Sequence, residues 1–249
     1  FNWLTYYGGK FSTSQKRGVF TDVALELLPA DYWRYFLLAH APESDDSSFT
    51  WELFASVVNK DLADTLGNFV NRVLTFSRKR FGEEVPGGHP PGEAEQRLGE
   101  QVAGLLAEYE AQLDGLNFRK AAQALRALWS AGNAYLDEKA PWLQVKTDPE
   151  AAALTLRTAM NLVHLYAVVS EPFVPGTAAA VRGAFALPED SPAATRDWVS
   201  PEEARTLDLV PAGTAFTVPP VLFAKITDEE LAAWTARFGG SADERGAPR

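Results

Sequence analysis

Cysteine is absent from this 249-residue chain, methionine occurs once as Met160, and His40, His89 and His164 are the only histidines. Without cysteine there is no disulfide framework, thiolate zinc site, iron–sulfur cluster or thiol nucleophile. Three histidines so scattered in sequence suggest no metal triad. No uninterrupted apolar run approaches the roughly 18 residues that a membrane span requires. The first residues also lack the basic, apolar and small-residue regions of a signal peptide. A soluble cytoplasmic protein is the expectation, with no membrane partner. The chain opens on Phe1 rather than Met, so a fragment or a trimmed form is expected as well.

What is present is enough apolar material for a core, 46% of residues, and a formal charge of 23 − 33 = −10. That charge is unevenly placed. Residues 1–82 carry nine basic and nine acidic side chains, and the remainder carries 14 against 24. An acidic chain does not bind polyanions indiscriminately, because that depends on a broad basic surface. A small specific nucleic-acid site remains open in the neutral part, where the cationic clusters Lys10-Lys16-Arg17 and Arg78-Lys79-Arg80 both lie.

The aromatic run 1–9 ends in Gly8-Gly9 and reads as a short strand entering a loop. Helices are expected near 21–28 and 31–40, separated by Pro29, with a first boundary at Pro42 and the polar run 43–48. From Thr50 to Phe81 the pattern is one amphipathic helix, N-capped by Thr50. Val58, Leu62, Leu66, Phe69, Val73 and Phe76 share its apolar face, opposite Asp64, Asn68, Asn71, Arg72, Thr75 and Lys79. After the loop 82–92, helices are expected over 94–114, 117–138, 149–170 and 176–186. A mixed extension over 187–238 holds a strand-like Ala215–Val218 and a final helix near Asp228–Phe238, followed by a disordered tail over 239–249. The fold class is mainly α: a helical bundle over 49–249 behind a small mixed α/β piece over 1–48.

Three segments could carry chemistry. Gly8-Gly9-Lys10-Phe11-Ser12-Thr13-Ser14 combines close backbone approach, a mobile cation and hydroxyl donors, which suits a phosphate but equally a solvated turn. It is not a P-loop, since no helix opens on its lysine. Asp64, Asn68 and Arg72, at i, i+4 and i+8, stack along one side of a helix. Asn and Arg can each read a base edge with two hydrogen bonds, but an ordinary solvated face has the same spacing. Ala140-Pro141-Trp142, with Asn133 near the same helix end, could offer a ring for base stacking or simply be packed. Trp3, Trp33, Trp51 and Trp129 read as core or inter-domain packing, and His164 as a core histidine.

Together these runs are more specific. Tyr-Tyr-Gly-Gly-Lys-Phe-Ser-Thr-Ser (6–14), Leu-Pro-Ala-Asp-Tyr-Trp-Arg-Tyr (28–35), Asn-Lys-Asp-Leu-Ala-Asp-Thr-Leu-Gly-Asn-Phe-Val-Asn-Arg (59–72) and Lys-Ala-Pro-Trp (139–142) resemble the methionyl-tRNA synthetases. The likeness is strong over 1–82, moderate through 142 and weak afterwards. Its order and spacing separate this family from its leucine, isoleucine and valine relatives. The resemblance implies a chain that begins just before the family's KMSKS loop and runs through the helical anticodon-binding domain. The Rossmann catalytic domain would lie upstream and is absent here.

Under that resemblance Lys10, Ser12, Thr13 and Ser14 form the ATP-site loop, with Lys10 the catalytic cation for pyrophosphate departure. Thr13 stands where the family often has a second lysine, and Lys16 or Arg17 could compensate. Asn68 and Arg72 would read the CAU anticodon, Trp142 would stack a base, and Asp64, Asn133 and Pro141 complete the candidate anticodon site. The implied substrates are ATP with Mg2+, methionine and tRNA(Met), with no metal held by this segment and no DNA partner. Two alternatives stay open: a non-catalytic RNA-binding module derived from a synthetase, and a helical interaction scaffold.

Overall fold

The computed structural model describes residues 2–188, 191 and 197–239. Strand β1 (Leu4–Tyr6) pairs in parallel with β2 (Ser47–Phe49), Leu4 opposite Ser47 and Tyr6 opposite Phe49. Between them lie α1 (Thr21–Leu27) and α2 (Ala30–Ala39). The polar run expected as a boundary therefore feeds a strand held against the first one, and the Phe49 ring stacks on Tyr6 at 5.8 Å. Trp33 and Phe54 stack at 4.5 Å in the same cluster, which Phe36 and Trp51 complete.

The long helix expected over 50–81 is present as one continuous rod with a change of winding inside it. It runs as α3 (Trp51–Val57), a π-helical stretch Val58–Gly67, and α4 (Asn68–Phe81). The Thr50 hydroxyl caps it by accepting from the Leu53 N–H at 3.1 Å. Val58, Leu62, Leu66, Phe69 and Val73 are buried, as their spacing predicts, while Phe76 is only partly covered. The i→i+5 bonding of a π-helix winds one more residue into each turn. The step from Asp64 to Asn68 is therefore not the step of an α-helix.

Helices α5 (Glu93–Asp114) and α6 (Phe118–Lys139) form a hairpin through 115–117. Pro141 begins rather than merely ends a helix: it occupies the first turn of α7 (Pro141–Thr147), where its missing N–H is an orphan in any case. The apolar α8 (Pro149–Val169) is long and apolar enough to cross a membrane, but 94% of its apolar window is buried inside the bundle. It is the core helix, packed against α4, α6, α7 and the short α9 (Pro175–Arg182). Asp31 of α2 caps α9, accepting from the Thr177 N–H at 2.6 Å and the Thr177 hydroxyl at 2.7 Å. At α6 a Gly132 Cβ would stand 2.7 Å from both Phe69 Cζ and Tyr166 Oη, so glycine lets α6, α4 and α8 meet.

A short α10 (Pro201–Arg205), unmarked in the sequence, packs on α5. Ala215–Val218 is no regular strand: Ala215 and Phe216 make single bridges to Glu84 and Phe185. The chain from Phe223 to α11 (Asp228–Phe238) then runs back along the long helix as a strap. Phe223 meets Tyr32 edge-on at 5.4 Å. Asn59 donates to the Ile226 carbonyl at 2.9 Å and accepts from its N–H at 2.8 Å. Trp234 and Phe238 pack on Trp51. The tail expected over 239–249 lies outside the described residues apart from Gly239, which bridges Arg17. Trp33, Trp51 and Trp129 are buried, whereas Trp3 is 68% exposed and no part of this chain's core. His164 is buried edge-on to Phe185.

Candidate functional site

At one end of the long helix lies the loop that carries Lys10. Tyr6 and Gly9 exchange backbone hydrogen bonds around Tyr7 and Gly8, both at positive φ, as in the mirror-image turns of tight hairpins. Ser12 and Arg17 exchange a second pair, 3.0 and 2.9 Å, closing the loop that holds Thr13 and Ser14. The Ser12 and Ser14 hydroxyls are 3.3 Å apart. Lys10, Thr13, Ser14 and Lys16 are exposed.

Arg17 is used differently. Its Nη2 donates to the Tyr6 carbonyl at 2.9 Å, and its guanidinium lies where a Gly9 Cβ would come within 2.3 Å. Gly9 is required for that approach, and Arg17 is the loop's internal brace. Of the two cations considered as substitutes for charge at Thr13, Lys16 is the exposed one. Gly18, just beyond, donates its N–H to the Phe238 carbonyl at 3.1 Å, so the C-terminal strap holds the loop's base.

Farther along the helix, in the first half of α4, Arg72 meets the junction of α6 and α7. The Arg72 guanidinium sits over the Trp142 indole, 5.3 Å from the ring centre, and its Nη2 lies 3.1 Å from Asp137 Oδ1. Trp142 is 38% exposed, leaving part of its ring open. Ala140 at φ +46° turns the chain there, and buried Pro141 begins α7. Asn68 is exposed one turn before Arg72, and among the described residues its carboxamide has no hydrogen-bond partner.

The junction is tied down from the side. Glu95 is only 4% exposed and accepts from Tyr135 Oη at 2.8 Å and from the Gly92 N–H at 2.8 Å. Its Oε1 also lies 3.0 Å from Lys139 Nζ. Burial by itself would raise the Glu95 pKa, but the Tyr135, Gly92 and Lys139 donors outweigh it and hold the group below its ordinary value.

Two candidate residues stand apart from Arg72 and Trp142. Asp64 pairs with Lys225 of the strap at 2.6 Å. Asn133 donates its amide to the Thr65 carbonyl and the Trp129 carbonyl, each at 3.1 Å. It thus joins α6 to the backbone of the π-helical stretch. Asp137 is the member of the cluster that sequence reasoning missed. A carboxylate in the last turn of a helix sits at the negative end of the dipole, an unfavourable place that hints at a cationic partner. Among the described residues no three of His, Asp and Glu come together as metal ligands.

Residues 85–243 match the family described as the anticodon binding domain of methionyl tRNA ligase, and residues 1–74 match the class I tRNA synthetases of the methionine group. The methionine–tRNA ligase of Streptomyces avermitilis is 74% identical over 243 residues, covering 98% of this chain and 42% of that protein. That of Caulobacter vibrioides is 54% identical over 241 residues, covering 97% and 42%. Among solved structures, Mycobacterium tuberculosis methionyl-tRNA synthetase in complex with methionyl-adenylate aligns at TM-score 0.74 and 25% identity, over 89% of this chain and 42% of the other. The chain therefore spans about 42% of the length of the relatives it matches.

Proposed function

This chain belongs to the methionyl-tRNA synthetase family, and from that premise we propose that it reads the CAU anticodon of tRNA(Met) and supplies a loop to the ATP site of a methionine–tRNA ligase. The observation that carries the reading is Arg72 held between Trp142 and Asp137, with Asn68 open one turn away. Unstacked loop bases are recognised by splaying onto aromatic rings and by hydrogen bonds at their edges. Trp142 offers the ring, Arg72 and Asn68 the two-pronged donors and acceptors. Asp137 fixes the guanidinium in the absence of RNA. Pro141 and Asn133 position the ring and the helix behind it.

In this reading residues 1–48 form the end of the catalytic region and 49–249 the anticodon-binding domain. The reaction joins methionine to ATP as methionyl-adenylate, releases pyrophosphate, and transfers methionine to the tRNA. Negative charge grows on the departing pyrophosphate, and Lys10 with the hydroxyls of Ser12, Thr13 and Ser14 would stabilise it there. Mg2+ would arrive with the nucleotide. Among the described residues, six of the ten large apolar side chains that are exposed, Trp3, Tyr7, Phe20, Leu25, Leu37 and Leu53, fall in the first 53 residues, which suits packing against a catalytic domain.

The test is to change the anticodon one base at a time in a hairpin and measure binding to wild-type chain and to Asn68→Ala and Arg72→Ala. The reading expects discrimination in the wild type that each variant loses for part of the triplet. Discrimination unaffected by both substitutions would place base reading elsewhere.

A further inference from the structure

A second polar recess lies on the same seam between the long helix and α6. It is a cleft of about 280 Å³, lined by Tyr35 of α2 and His40 just after it, Lys60 and Asp61 from the π-helical stretch, and Arg119 and Arg126 from α6. Asp61 is the one carboxylate in its wall. That carboxylate is buried and committed: Oδ2 accepts from the Tyr35 hydroxyl at 3.0 Å and Oδ1 lies 3.4 Å from Arg126 Nη1. The Lys60 and Arg119 side chains are exposed and ion-paired to no carboxylate among the described residues, although Glu43 Oε1 accepts from the Arg119 backbone N–H at 3.1 Å. In a protein of charge −10, three cations line the cleft against one carboxylate in its wall and a second, Glu43, at its edge.

The position of the cleft says what would use it. The long helix and α6 run in the same direction, joined first by Asp61–Arg126, next by Asn133 on the Thr65 carbonyl, and then by Arg72–Asp137. Arg126 and Asn133 are seven residues apart on α6, about 10 Å at 1.5 Å per residue. Arg119, in the first turn of α6, stands 18 residues before Asp137, about 27 Å at 1.5 Å per residue, so the phosphates that could reach the cleft are those several nucleotides away from a base stacked on Trp142.

We propose that this cleft is a phosphate site for the RNA backbone flanking the anticodon, with Lys60 and Arg119 as the contacting cations and Arg126 held in place by Asp61. It rests on the anticodon reading above. Contacts of this kind set affinity and register without reading sequence.

The experiment measures binding of a CAU hairpin and a scrambled hairpin by fluorescence anisotropy over a series of KCl concentrations. The chain, its Lys60→Gln/Arg119→Gln variant and an Arg97→Gln/Arg205→Gln variant of equal charge are compared. Each phosphate contact contributes about 0.7–0.9 to the slope of log affinity against log salt. The cleft variant is expected to lose roughly one to two units of slope for both hairpins while keeping the wild-type ratio between them. The control variant should keep the wild-type slope. Equal slopes in the cleft variant and wild type, with CAU preference intact, overturn the phosphate site and leave the anticodon reading standing. Absence of CAU preference together with a reduced slope supports the cleft while removing the reading of the triplet. A separate titration with inorganic pyrophosphate distinguishes a small-anion site: saturable binding lost in the variant, with unchanged RNA slope, also overturns the proposal.

Discussion

The Arg72 guanidinium lies 5.3 Å from the centre of the Trp142 indole and 3.1 Å from Asp137, so it is gripped from two sides before any ligand arrives. Such pre-orientation removes part of the ordering cost that binding would otherwise carry. It also makes the ring and the cation a single unit, and changes at either should be felt by the other.

Replacing Trp142 by alanine should weaken a CAU hairpin by about 1–3 kcal/mol, the range for loss of one stacking platform. The thermal midpoint should hardly move, since the side chain is already partly exposed. Anisotropy and circular dichroism on the same preparation check both statements. Unchanged affinity would make the ring a packing element.

Lys10→Ala should slow adenylate formation in a complete enzyme carrying this chain and leave hairpin binding at its wild-type value. Lys10 is exposed in a loop beside the start of the long helix, whereas Trp142 sits against Arg72 well along it in α4, so the two effects should separate. Pyrophosphate exchange and anisotropy are the paired assays, and equal losses in both would contradict the role.

Gly132→Ala should destabilise the fold by about 1–3 kcal/mol, the usual cost of an added methyl in a packed core. The new Cβ would meet Phe69 and Tyr166 at 2.7 Å. A lower urea midpoint at unchanged m-value would show it.

Asn133→Ala should also destabilise, by about 1–3 kcal/mol, because the Thr65 carbonyl loses its donor. If Asn133 acts on RNA only through this brace, the loss of hairpin affinity should be similar for CAU and scrambled sequences. A loss confined to CAU would mean that it touches a base.

Acid should loosen the α5–α6–α7 junction through Glu95. Its folded pKa lies below the reference value of 4.5. The stability it contributes is therefore full above about pH 4.5 and is lost as the pH falls through the lower folded value. Glu95→Gln should reduce stability at neutral pH and flatten the acid limb of the stability–pH curve. An unchanged limb would assign acid sensitivity to other carboxylates.

The helices were readable because apolar residues recur at helical spacing, and the ends of α11 coincide with those expected. The π-helical stretch was not, because its apolar positions continue the same repeat while the hydrogen bonds shift. Helix α7 is not marked in the sequence, because seven residues show too little periodicity and a proline suits the first turn of a helix as well as the stretch after one. The strap over Phe223–Thr227 has no periodicity at all; its path is set by Asn59 gripping the Ile226 backbone. Lys10, Asn68, Arg72 and Trp142 were legible only through their combined order, since alone the first three fit a solvated surface and Trp142 a packed corner. Asp61 and Arg126 could not be paired from sequence, since 65 residues separate them and only the packing of α6 on the long helix brings them together.

The most direct measurement is anisotropy of this chain with a CAU hairpin against one scrambled in those three bases, at one fixed salt. The account predicts clear preference for CAU, reduced by Arg72→Ala. Equal binding to both hairpins would contradict it and leave the family fold without its anticodon reader.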